Sequence, residues 1–78
     1  MIMVVPIHQI EIGQKAEIVW LAHEEPMAKR LEDLGFVPKE TLQCVLKGRR
    51  GEIAAYLVRN AVIALRKEDA GRIFARLL

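Results

Sequence analysis

The stretch "RLEDLGFVP" (Arg30–Pro38) decides the fold. Leu31 and Leu34 lie three apart on one helical face, with Met27 a turn earlier. Gly35 suits a helix end in the left-handed conformation, and Pro38 drives Val37 into an extended shape. The residues predict a short amphipathic helix with a firm stop, followed at once by a strand. Just upstream, Glu24 and Glu25 favour the positive end of the helix, and Pro26 suits its first turn. Such a segment acts as a plug, and its neighbours in sequence show what it plugs.

On the N-terminal side, "KAEIVWLA" (Lys15–Ala22) is rich in strand formers. Its alternation puts Ala16, Ile18 and Trp20 on one face and Glu17, Val19 and Leu21 on the other. On the C-terminal side, "TLQCVLKG" alternates Leu42, Cys44 and Leu46 with Gln43 and Lys47. The loop "GRRG" (Gly48–Gly51) leads to "EIAAYLV", which is separated from "AVIALR" by Arg59 and Asn60 alone. A two-residue connection implies a tight hairpin, and asparagine tolerates the positive φ that such a turn requires. The tail "KEDAGRIFARLL" reads two ways. Ala70, Ile73, Phe74 and Leu77 fit a helical stripe; equally, one helical turn can be followed by a strand with Ile73, Ala75 and Leu77 inward. Short strands with one small helix between the first two suggest a curled antiparallel sheet. Met27, Leu31, Leu34 and Phe36 are expected to cap one mouth of this small barrel.

Seventy-eight residues suffice for one domain, and a chain of this size has only a modest core to share. Apolar residues form 53% and charged residues 28%, a balance that suits a folded chain rather than a disordered one. The net charge of +2 is only mildly basic and permits an acidic partner without demanding one. A single cysteine, Cys44, rules out an internal disulfide and fits a reducing compartment. No apolar run approaches the roughly 20 residues that span a bilayer. "MIMVVPI" lacks a basic leader region and is broken by Pro6, so it does not read as a signal peptide. A cytoplasmic location is expected. The chain has no serine, which excludes a serine nucleophile.

Arg30-Leu31 with Leu34-Gly35-Phe36-Val37-Pro38, the hairpin, and Ala64-Leu65-Arg66 followed by Glu68 and Ala70 together resemble the ferrous iron transport protein A family. The likeness covers about residues 7–78 and marks a fold rather than a catalytic site. Two departures are Lys39-Glu40 where the family usually has glycine after its proline, and Asn60 at the hairpin tip. The resemblance implies a mainly β, SH3-like barrel of about five strands with one short capping helix between the first and second strands. It also implies that the tail is one helical turn and then a strand. Residues 1–6 are set apart as an N-terminal extension to the domain at 7–78. Met1–Val5 is expected to add a strand to its own sheet or to a neighbour's edge, with homo-oligomer formation as the consequence.

Candidate sites divide by chemistry. His8, His23, Cys44, Asp33, Asp69 and several glutamates are potential metal ligands, yet none has ligand spacing, and no metal or cofactor is expected. Cys44, flanked by Leu42 and Leu46, reads as a core thiol. His23 beside Glu24 and Glu25 reads as a solvated helix start. Glu32 and Asp33 share a polar face with Lys29 and Arg30, as surface charges do. No catalytic pair stands out, so a non-enzyme is expected. "KGRRG" (Lys47–Gly51) places three cations on one loop, which suits nucleic acid. Four aromatics, with no stacking row along a strand, argue against that use and against a proline-rich ligand groove. Trp20 and Tyr56 either pack across the sheet or anchor a contact.

The resemblance implies an accessory binding module of a ferrous iron uptake system, docking on the cytoplasmic GTPase part of the iron permease, the B component. The expected contact surface comprises Trp20, Met27, Arg49, Arg50 and Tyr56. The alternatives are a free regulatory relative of the SH3-like domain in metal-dependent repressors, and a small barrel binding nucleic acid through Lys47–Gly51.

Overall fold

Six short strands share one antiparallel sheet in the computed structural model, which describes residues 3–78. In chain order the elements are β1 (Val4–Pro6), a 3-10 turn (Ile7–Gln9), β2 (Lys15–Leu21), α1 (Met27–Leu34) and β3 (Thr41–Lys47). There follow β4 (Ile53–Val58), β5 (Ala61–Arg66), α2 (Lys67–Ala70) and β6 (Ile73–Leu77). The sheet order is β1-β6-β2-β3-β4-β5, so β1 and β5 are its two edges. β1 lies in the segment read as an N-terminal extension and pairs with β6 of its own chain, Val4 opposite Arg76 and Pro6 opposite Phe74. Met1 and Ile2, the rest of the apolar start, lie outside the described residues. The tail follows the second of its two readings: one helical turn at Lys67–Ala70, then a strand from Ile73.

The hard stop of α1 is built as its residues predict. Gly35 sits at φ 107°, and its amide donates to Glu32 while that of Phe36 donates to Leu31 at 2.9 Å. A side chain at Gly35 would be strained at that φ and would also displace Arg59, whose Cδ lies 2.8 Å from the Cβ position. That contact seats the helix end on the β4–β5 turn, where Arg59 (φ 49°) and Asn60 (φ 64°) both take the left-handed conformation of a tight hairpin. Arg59 Nε then donates to Glu40 at 3.0 Å. The plug is narrower than expected. Leu31 and Phe36 are fully buried and Met27 half-buried, but Leu34 is 37% exposed. The helix ends at Leu34, and Phe36, beyond the stop, takes the inward place.

Two bulges redirect side chains that strict alternation sends inward. In β2 the register with β6 slips between Ile18 and Trp20, so Ala16 and Ile18 are buried while Trp20 is 57% exposed. In β3 the register with β4 slips between Cys44 and Leu46, and Leu46 turns outward. The core is closed by Ile7, Ile10, Leu42, Tyr56, Val58, Ile73 and Ala75. Each isoleucine, leucine or valine side chain so removed from water contributes about 1.5–3 kcal/mol.

Candidate functional site

The expected contact residues separate into three places. Tyr56 is the clear correction: it is fully buried, and its hydroxyl donates to the backbone carbonyl of Ile7 at 3.2 Å. It ties β4 to the 3-10 turn and presents nothing to a partner. Burial pushes the phenol up to about 12, with the Cys44 thiol beside it adding to the shift. Trp20 stands on the outer face of β2, its ring stacked on Phe74 of β6 at 5.2 Å between centroids. Phe74 in turn pairs with Pro6 of β1, and two pairs further along Arg76 Nε donates to Glu17 at 3.0 Å. Met27 opens α1. Arg49 and Arg50 are exposed in the β3–β4 loop.

Met27 and the two arginines are joined by a feature that the sequence did not announce. Between α1 and β5 runs a groove of about 400 Å³, lined by Met27, Leu34, Ile63, Leu65 and the cations Arg30 and Arg66, with Asp69 at its end. Arg66 also borders a second hollow with Glu52, Ile53, Lys67 and Glu68. Glu52 and Ile53 border a third, which ends at Arg49 and Arg50. The three hollows therefore share walls and form one band that runs from the α1–β5 groove, past the end of β5, to the β3–β4 loop. Five cations line it against three carboxylates, with Met27, Leu34, Ile63 and Ile53 as its apolar floor. Sequence reasoning missed Arg30, Leu34, Ile53, Ile63, Arg66 and Lys67, because only the fold brings α1 beside β5. The one available signal was the pair Arg66-Lys67 ending an apolar strand.

The histidines form no such cluster. His23 Nε2 lies 2.8 Å from the Asp69 carbonyl, and its Nδ1 is buried without a partner. His8 Nδ1 is likewise unpartnered, and burial, then Lys67 and Lys47, hold this imidazole below its ordinary pKa. Among the described residues no three of His, Cys, Asp and Glu gather in a metal-holding group. Cys44 is a buried thiol directed at the carbonyl of Leu46. No helix among the described residues is long and apolar enough to cross a membrane.

A curled antiparallel sheet stoppered by one short helix defines an SH3-like fold. The family model described as the FeoA domain matches residues 5–77, and the chain belongs to that family. Its members are accessory proteins of ferrous iron transport and are generally non-catalytic. Among solved structures, an iron uptake regulatory protein (FeoA) is 26% identical, covering 97% of this chain and 100% of its own, with a TM-score of 0.85. The Stenotrophomonas maltophilia FeoA, solved in complex with zinc, is 27% identical over 94% of this chain and 88% of its own, with a TM-score of 0.76. A manganese-dependent transcriptional repressor reaches a TM-score of 0.88 over 100% of this chain and 44% of its own. At 11% identity that likeness is one of fold alone. A comparison with curated protein sequences gives no match.

Proposed function

We propose that the chain is a non-catalytic regulatory module of a ferrous iron uptake system, acting in the cytoplasm by docking on the GTP-hydrolysing part of the membrane iron permease. Family membership supports the transport system. The observation that carries docking is the continuous apolar and cationic band from Met27 to Arg50, which offers a partner both a desolvated floor and charge. The module works by surface complementarity, without a bound cofactor. The test is to mix the purified chain with the soluble GTPase domain of the permease and measure binding by calorimetry and GTP hydrolysis by phosphate release. Saturable binding with an altered hydrolysis rate is expected; no heat and an unchanged rate would refute the docking.

A further inference from the structure

The edge of the sheet beside the groove is what the rest of the molecule leaves unused. β5 pairs with β4 through all six of its residues, from Val58–Ala61 to Ile53–Arg66, and among the described residues no strand lies beyond it. In a two-residue hairpin the pair flanking the turn is hydrogen-bonded, so Val58–Ala61, Tyr56–Ile63 and Ala54–Leu65 exchange their backbone bonds. The amides and carbonyls of Val62 and Ala64 therefore point away from β4, along the open side. Both residues are exposed, Val62 at 62%. Edges are commonly blunted by a proline, a bulge or an inward charge. β5 has an unbroken register with β4 and neither a proline nor a charge before Arg66.

We infer that the β5 edge takes up an extended protein segment by strand addition, and that this segment carries apolar side chains alternating with carboxylates. The inference deepens the docking reading and rests on it for the identity of the protein that supplies the segment. The backbone groups of Val62 and Ala64 supply the hydrogen bonds. Because side chains alternate along an added strand, one set lies over the groove floor of Met27, Leu34 and Ile63. The other set emerges on the opposite face, beside Val62, Ala64 and Arg66, while Arg30 stands at the groove with the first set. Along the groove beside the edge, Arg30 and Arg66 stand against Asp69 alone, which selects an acidic segment over a basic one. A nucleic-acid backbone fits less well, because Glu52, Glu68 and Asp69 interrupt the cations and the apolar floor offers phosphates nothing.

The test uses the ¹⁵N-labelled chain and end-blocked eight-residue peptides, one alternating valine with glutamate and one alternating valine with lysine. The acidic peptide is expected to shift the amides of Val62 and Ala64 saturably and slow their hydrogen exchange, with the basic peptide at least about tenfold weaker. Ala64→Pro removes one outward amide without touching the β4 pairing and is expected to abolish the effect. Should that variant fold poorly, the exposed double reversal Arg30→Glu with Arg66→Glu is expected to invert the preference between the peptides. Unshifted amides, equal response to both peptides, or a stronger response of the same amides to a ten-residue oligothymidylate would overturn the inference. Binding of the permease GTPase domain with Val62 and Ala64 left unprotected would also overturn it, while docking stands. A peptide that binds the edge when the GTPase domain does not bind at all would sustain the edge and refute the docking.

Discussion

Tyr56 is the chain's one tyrosine, and its hydroxyl is spent on the Ile7 carbonyl inside the core. A free phenol ionises near 10, and this one is held up to about 12. The unfolded chain therefore releases that proton before the folded one, and stability falls as pH rises from about 10 to 12. Absorbance at 295 nm should show ionisation delayed toward 12 and coincident with alkaline unfolding. Tyr56→Phe keeps the packing and loses the hydrogen bond, for an expected cost of about 1 kcal/mol in urea denaturation. His8 carries the opposite sign at the acid side. Its folded-state pKa is lowered from 6.5, so the unfolded chain takes up the proton first. The contribution is neutral above about 6.5 and turns destabilising as pH falls through the lowered value. A His8→Gln variant should lose less stability than the parent between pH 7 and 5, as followed by thermal denaturation.

At the level of the element, α1 separates two leucines that look equivalent in sequence. Leu31 is buried against the core, and Leu34 lines the groove with its surface partly in water. Leu31→Ala should cost about 2–5 kcal/mol, whereas Leu34→Ala should cost under about 1 kcal/mol. Urea midpoints of the two variants, compared at equal m-value, check this; equal losses would mean that both leucines are core. The helix stop was legible because its causes are local: glycine at the C-terminal turn and proline three residues later. The bulges at Val19 and Val45 were not. Each arises from pairing with a strand distant in sequence, and nothing in "KAEIVWLA" or "TLQCVLKG" marks the residue where the count slips. For that reason alternation alone puts Trp20 and Leu46 on the inner face.

For the whole molecule, the two sheet edges differ in kind. β1 is only three residues long, ends in Pro6, and shields β6 from solvent. Removing residues 1–6 strips that cover and should lower stability by about 1–3 kcal/mol. It should also promote association through the newly bared β6, read as a lower melting temperature and an earlier elution in size-exclusion chromatography. The candidate surface was only partly legible for a related reason. Met27, Arg49 and Arg50 stand on the band, but its middle is made by α1 meeting β5, a juxtaposition that the pattern of neither segment contains. Tyr56 was read as surface-prone because alternation cannot say which side of β4 faces in.

The outward turn at Trp20 has a practical consequence. The only indole of the chain leans on Phe74 in open solvent, with β3 and β4 lying between its strand and β5. Its fluorescence should be red-shifted and readily quenched by acrylamide in the native state. The emission should respond at once to any molecule settling over the β2–β6 flank, which makes the indole a built-in reporter of that face.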